Sequence, residues 1–475
     1  MKYPLLSKVA AIGAIVFLLC IVLARIHALV TERQYRQNQA VQSVEESLAG
    51  AQVLLGPLLQ RSCTEEWDTD IGEGKDRRKS TDKREFVLTS PAHQLQIDSE
   101  AKSDVRYRGL FRVNSYGGAT TLQARWDQLG AMEPQREHAG SRLQCGALVV
   151  MVAVSDVRGL RAVTAQADGQ KLPVRAGTRH ARYAKGVHLE LPVERGARLA
   201  EALAVTFTLD LVGTARLSVV PAAEAVTWSL RSDWPHPSFG GRFLPADRAV
   251  DEAGFTARWA VSSLASTATA EVQRAGQMCD VFVAEPQHTD DGYGGRTAHD
   301  PKCLETFSVA FIDPVNPYVL IDRATKYALL FIVLTFAGVA LVEVLARRRV
   351  HPVQYALVGF ALALFYLLLL SLSEHVGFGP AYGVATAACV ALLAFYAAHM
   401  LGSARAGAVF GAGIAALYGL LWVLLRLEQT ALLVGSGLLF CLLAAAMVAT
   451  RKVDWYGVVE QWRGPSSASE PKAAI

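Results

Sequence analysis

The sequence predicts an α-helical integral membrane protein with six transmembrane helices and a large β-rich domain between helix 1 and helix 2. Three observations carry this expectation. Residues 326–449 are almost continuously apolar, in runs of 20 or 21 residues, and such a run at about 1.5 Å rise per residue spans the ~30 Å hydrocarbon core of a bilayer. Residues 31–320 instead mix charged, polar and apolar residues in ordinary proportions. Arg347, Arg348 and Arg349 fill the short connection between the apolar runs Lys326–Ala346 and Val353–Ser373, and short basic loops stay on the cytoplasmic side. That connection orients the rest: both termini cytoplasmic, residues 31–322 outside the cytoplasm.

The chain has 475 residues, 52% hydrophobic and 19% charged. A large soluble enzyme reaches the same totals, so the distribution decides the class. A net charge of +4, scattered along the chain, gives no basic patch for a nucleic-acid partner. Cys20, Cys389 and Cys441 fall in apolar runs as small packing residues. Cys63, Cys145, Cys279 and Cys303 fall in the middle region, where two disulfides in three connectivities stay open and Cys279–Cys303 is the local pair. The absence of a CxxC spacing speaks against redox or zinc chemistry.

Taken in order, residues 1–30 hold the apolar run Leu5–Ala24, behind Lys2 and Lys8. Ile26 spoils a cleavage site before Ala28, so an uncleaved signal anchor is expected rather than a removed peptide. Thr31–Leu59 reads as a helical extension stopped at Gly56-Pro57, with an amphipathic surface helix as the alternative. Residues 64–85, dense in charge and glycine, read as a solvated loop. Beyond them the hydrophobic period becomes two, through Val105–Val113, Leu122–Trp126, Leu148–Asp156, Val205–Gly213, Leu217–Pro221, Val226–Ser232 and Phe255–Ser262, which marks half-buried strands. Residues 323–450 then form a five-helix bundle, whose later runs are Ala381–Leu401, Ala406–Leu425 and Thr430–Ala449. Arg405, Arg451 and Lys452 share the side of the triple-arginine turn, as the topology requires. Residues 451–475 have the composition of a disordered cytoplasmic tail.

The candidate functional residues are few. Glu374 and His375 set a carboxylate beside an imidazole at a helix end, a pairing suited to acid–base work, although adjacent helical residues do not face each other. Trp234 and His236 lie in the proline- and glycine-rich segment Arg231–Pro245, read as a defined loop that either contacts a ligand or packs as an aromatic corner. His288, Asp290, Asp291, His299 and Asp300 read as a solvated turn, so no metal and no cofactor is assigned. Ionisable residues cluster at the ends of the apolar runs, poor material for an ion relay. Gly407-x-x-x-Gly411 suits close helix packing. No hydrolase elbow, metalloprotease, P-loop or dinucleotide fingerprint stands in its required context.

Several segments together resemble one family. YALLFIVLTF, HPVQYALVGFALALFYLLLLSLSEH, Ala381-Tyr382, ALLVGSGLLF and TRKVDWY in the apolar half, with GAQVLLGP, RYRGLFRVNSY, SDVRG and SDWPHPSFGGRFLP before it, are similar to the CreD family of bacterial inner-membrane proteins. The chain departs from that pattern after Gly56-Pro57, where LLQRSC and a charged insertion replace a short apolar strand, and its four middle cysteines match no family motif. The resemblance implies a six-helix inner-membrane protein with a periplasmic domain. It also implies links to a Cre-type two-component response, envelope integrity, β-lactam susceptibility and colicin tolerance. It assigns no catalytic residue.

The reading favoured at this point is a non-enzymatic protein of the lipid bilayer that binds a periplasmic protein, glycan or lipid-linked component through its β-rich domain. An enzyme modifying an envelope precursor at the periplasmic face is the second reading and needs Glu374, His375 and His236 to converge. A transporter ranks last, since five uninterrupted helices give no inverted repeat.

Overall fold

A computed structural model of the chain describes residues 4–71, 78–274, 276–278, 303–311, 316–345 and 350–427, with scattered positions between 435 and 451. It divides into two compact units, residues 39–314 and residues 1–38 with 315–475. In chain order the strands are β1 (Gln52–Ile71), β2 (Arg78–Arg108), β3 (Phe111–Trp126), β4 (Arg142–Cys145), β5 (Val149–Val154), β6 (Leu160–Ala167), β7 (Gln170–Leu172), β8 (Val174–Ala176), β9 (Gly186–Glu190), β10 (Leu203–Thr214), β11 (Arg216–Val219), β12 (Ala223–Ser232), β13 (Pro237–Gly241), β14 (Asp247–Asp251), β15 (Gly254–Ser262) and β16 (Phe307–Phe311). The helices are α1 (Pro4–Ser47), α2 (Ala268–Gln273), α3 (Pro317–Leu345), α4 (Pro352–Val376), α5 (Phe378–Leu401) and α6 (Ala404–Arg426).

The strand-rich unit is two sheets joined through β2. In the first, β1 lies between antiparallel β5 and parallel β11, and β16 and β13 extend the β11 side. In the second, the order is β7-β6-β10-β3-β2-β12-β15-β14. β2 pairs with β1 up to Pro91 and enters the second sheet from Ala92 on, next to β12 and β3. The core lies between the sheets: Leu54, Val150, Val152 and Phe307 from one meet Leu95, Ile97, Phe207 and Trp228 from the other. Its aromatic centre stacks Trp228 on Trp259 at 4.5 Å between ring centroids. Alternation along β10 is the sequence cause: Leu203, Val205, Phe207 and Leu209 point in, while Ala204, Thr208 and Asp210 are exposed. β5 is buried at every residue because α2 and neighbouring loops cover the other face of its sheet, where Val53, Leu55, Met151 and Ala153 pack with Ala268 and Val272.

Four expectations for this unit are corrected. The helix expected to reach Leu59 ends at Ser47, and 52–59 begin β1. A continuous apolar run buried on both faces looks the same in either conformation, and the tertiary partners Leu217 and Val154 settle it. Residues 64–71 and 78–85 are strand and not loop: β1 and β2 continue as a ribbon from Leu58 opposite Pro91 to Ile71 opposite Arg78. Past Glu65 most side chains of this ribbon are polar and at least partly exposed, so no apolar alternation marks it, and cross-strand polar pairs such as Thr81 Oγ1 to Asp68 at 3.0 Å stand in for it. Finally, part of the segment Arg231–Pro245 is strand, since Pro237–Gly241 is β13 at a sheet edge, where proline's missing N–H costs little. The expected strand Val105–Val113 is itself a hairpin. Gly109, at φ +62°, sits first in the two-residue turn that joins Arg108 to Phe111.

Cys63 and Cys145 face each other on β1 and β4 and form a disulfide, a pairing the sequence left open. Cys303 is disulfide-bonded; Cys279, its expected partner, lies outside the described residues. Beside the first bridge the buried Glu65 carboxylate accepts from Ser141 Oγ at 2.6 Å and from the N–H groups of Glu137 and His138 at 3.0 Å each. Those donors, led by the Ser141 hydroxyl, hold it below the usual carboxylate range.

In the helical unit four helices among the described residues are long and apolar enough to cross a membrane: Ser7–Ser47, Pro352–Val376, Phe378–Met400 and Ala404–Arg426. The expected run Lys326–Ala346 falls in α3, which starts at Pro317 and takes in Asp322, Arg323 and Lys326 before the apolar part begins. The expected run Thr430–Ala449 and the triple-arginine connection lie largely outside the described residues, and α3 is not among the four, so of the six expected crossings four are found among the described residues. α5 and α6 pack through Gly407 and Gly411. A Cβ at Gly407 would stand 2.5 Å from Ala398 Cβ, and one at Gly411 2.6 Å from Ala394 Cβ.

Candidate functional site

The outward face of the second sheet carries a groove in the strand-rich unit. Register aligns Thr208, Thr121, Asp98, Ser229, Arg258 and Asp247 in one row across β10, β3, β2, β12, β15 and β14. A second row runs through Glu100, Arg231, Thr256 and Ala249. Twist curls these rows into a groove of about 720 Å³. A second depression of about 350 Å³ adjoins it, sharing Glu100, Arg231, Ala249 and Thr256.

The chemistry of the groove is polar and charged. Arg231, Arg258 and Asp247 are exposed and have no ion-pair partner among the described residues, although opposite charges lie one or two strands away. Asp98 accepts from Gln96 Nε2 at 3.0 Å, Glu100 reaches Lys102 at 3.7 Å, and Arg248 lies 6.0 Å from the Phe239 ring centroid. None of these groove residues was singled out from the sequence. The outward positions of TWSLRS and FTARW were legible from alternation, but their neighbours across the sheet were not.

Trp234 and His236 stand in the turn after β12 without converging. Trp234 is 5% exposed and belongs to the core between the sheets. Its Nε1 donates to the His236 carbonyl at 2.9 Å, and its backbone N–H donates to Ser232 Oγ at 3.2 Å. The His236 side chain is exposed. The neighbouring Asp233 accepts the Ser103 N–H at 2.7 Å, which ties this turn to β2.

With this geometry in view, the sequence profile described as "Inner membrane protein CreD" matches residues 4–456. "Inner membrane protein CreD" of Escherichia coli (strain K12) is 33% identical over 457 residues, covering 96% of this chain and 95% of that protein. The chain belongs to the CreD family. A solved M1 zinc metallopeptidase from Deinococcus radiodurans aligns over 81% of this chain and 96% of its own, at 10% identity and a TM-score of 0.19, a level that carries no argument about fold or chemistry.

The motif HPVQY of this CreD-family chain is a helix start. His351 caps α4 by accepting the Val353 N–H at 3.3 Å, Pro352 opens the first turn, and Gln354 Oε1 accepts the His351 N–H at 3.0 Å. Tyr355 donates to the Glu343 carboxylate at 3.0 Å. Glu343, 4% exposed, also accepts the Val350 N–H at 3.1 Å and pairs with Lys8 of α1. Glu343 is thereby enclosed among α1, α3 and α4.

SEH closes the same helix. Glu374 accepts from Tyr318 Oη at 3.2 Å and faces Arg33 Nε at 3.6 Å, while His375 turns away, its Nδ1 3.1 Å from the Ser371 carbonyl. The two adjacent residues do not meet, and Glu374 serves to join α1, α3 and α4. SDVRG is also a joint: Asp156 is held bidentately by Arg158, with Nε to Oδ1 at 3.0 Å and Nη2 to Oδ2 at 2.6 Å. It also accepts the Gly50 N–H at 3.1 Å, and Arg158 donates to the Glu46 carbonyl at the end of α1. The Arg158 guanidinium, with the Gly50 N–H, lowers the Asp156 pKa to about 2.

Among the described residues no group of three or more His, Cys, Asp or Glu side chains is gathered closely enough to hold a metal ion. The stretch with His288, Asp290, Asp291, His299 and Asp300 lies outside the described residues.

Proposed function

We propose that this CreD-family protein crosses the inner membrane six times, with both termini cytoplasmic and residues 31–322 periplasmic. In this reading the strand-rich unit binds a polar envelope component, whether a periplasmic protein, a glycan or a lipid-linked molecule, and the helices anchor it in the bilayer. The groove over Asp98, Arg231 and Arg258 carries the proposal: charged side chains on a concave sheet face, without ion-pair partners among the described residues, offer a ligand more than they offer the fold. Binding there would link the protein to envelope integrity, to β-lactam and colicin susceptibility, and to a two-component response. Nucleic acid is no partner in this reading.

The enzyme reading keeps Glu374, His375 and His236 as its residues. It draws less support, since Glu374 is engaged by Tyr318 and Arg33 and His375 faces away. Trp234 is a core residue in this reading.

The experiment is photocrosslinking in living cells from Thr256, in the groove, and from Glu374. Capture of a defined envelope component at position 256 supports the binding reading. Capture of a lipid-linked precursor at 374, with nothing at 256, would replace it with the enzyme reading. Accessibility of single cysteines to a membrane-impermeant reagent tests the topology, with position 256 expected to be labelled from outside and position 405 protected.

A further inference from the structure

The charges in the groove change sign from strand to strand. Asp98 and Glu100 form an acidic stripe on β2, Arg231 on β12 and Arg258 on β15 a basic stripe running diagonally across adjacent rows, and Asp247, next to Arg248, a shorter acidic edge on β14. Adjacent strands lie about 4.8 Å apart, so the whole pattern is narrow enough for one extended chain to meet all three stripes. Side chains on one face of an extended peptide repeat every ~6.8 Å, the same repeat that separates the Asp98 and Glu100 positions along β2.

Three ligand classes fail on this pattern. A polyanion resting on the two guanidinium groups would have acidic stripes on both flanks, and a polycation would meet the guanidinium groups head on. A neutral oligosaccharide usually rests on an aromatic ring, and no aromatic residue lines the main groove. A ligand carrying carboxylates and ammonium groups together satisfies all three stripes, its carboxylates forked by the arginines and its ammonium groups set over the carboxylates.

We propose that the groove binds an extended dipolar peptide, with carboxylate and ammonium side groups on one chain. This rests on the binding reading above and names its ligand class.

The test uses the full chain in nanodiscs and three probes: a synthetic peptide in which threonine alternates with glutamate and lysine in turn, an all-threonine peptide of equal length, and a tetramer of N-acetylglucosamine. The dipolar peptide is expected to bind, to weaken as salt is raised, and to lose about tenfold or more in affinity in Arg258→Gln and again in Arg231→Gln. Both sites are exposed, so neither change threatens the fold, and Asp247→Asn provides a third variant of opposite charge. Equal binding of the all-threonine peptide, or dipolar binding indifferent to all three variants, overturns the proposal. Binding of the oligosaccharide alone, lost in Arg258→Gln, overturns the ligand class and leaves the binding reading standing. Binding of no probe, with an envelope phenotype unchanged in Arg231→Gln and Arg258→Gln cells, overturns both.

Discussion

Tyr318 on α3 donates its hydroxyl to Glu374 on α4 at 3.2 Å, and Arg33 of α1 faces the same carboxylate at 3.6 Å. One acidic side chain therefore ties three helices at one end of the helical unit. Glu343, with Lys8 and Tyr355, does the same for these three helices at another point.

Glu374→Gln keeps an acceptor for Tyr318 and removes the charge that Arg33 faces. The expected loss is about 1 kcal/mol or less, since Arg33 is about a third exposed and screened by solvent. A thermal-shift measurement in detergent should show a small drop while the envelope phenotype stays normal. Abolished function at normal protein level would instead favour an acid–base role.

Glu343→Ala is expected to cost far more. It removes the carboxylate that Lys8, the Tyr355 hydroxyl and the Val350 N–H share at a site 4% exposed, a loss on the order of 3–5 kcal/mol. Low recovery of folded protein is the expected result, and Glu343→Gln should recover part of the loss.

Gly407→Leu should separate α5 from α6. Even a Cβ there would approach Ala398 Cα to 2.7 Å, so the backbones must part, at a cost of about 1–3 kcal/mol or more. Gly413, whose Cβ would meet nothing within 4 Å, is the control: Gly413→Leu should leave the melting temperature nearly unchanged.

Asp156 sets an acid limit for the strand-rich unit. Its folded pKa is lowered to about 2, against about 3.9 for a free aspartate. The stabilisation it contributes is complete above the free value and is lost as the pH falls through the folded one. The protection of the Gly50 amide, its exchange rate measured against the intrinsic rate at each pH, should fall from pH 5 down to pH 2. In Asp156→Asn the protection should already be lower at pH 5 and change less below.

Replacing Cys63 and Cys145 together by alanine removes a cross-link between residues 82 apart in sequence. Chain entropy puts the expected loss at about 2–5 kcal/mol. Denaturant unfolding should show a lower midpoint, and the unreduced wild type treated with reductant should move the same way.

The sequence by itself determined the class and most of the elements. Runs such as Val353–Ser373 are apolar along their whole length, and a bilayer accepts little else, so α4, α5 and α6 could be read without a partner in view. Strict alternation did the same for β10, β12 and β15, because their inward and outward residues differ in kind. The family was legible too, in motifs that prove to be joints and caps: His351 starts α4, and Asp156 binds Gly50.

Tertiary structure decided the rest. The run around Gly56-Pro57 is apolar on both faces, so only Leu217 and Val154 beside it make it a strand. The charged strand segments at 64–71 and 78–85 carry no apolar alternation, so only their pairing with each other reveals them. Cys63 finds Cys145, and Glu343 finds Lys8, across separations no local rule spans. The groove has the same origin: Asp98, Arg231, Arg258 and Asp247 become one surface because strands far apart in sequence share a register, and pairing partners are set by the packed core rather than by any one strand.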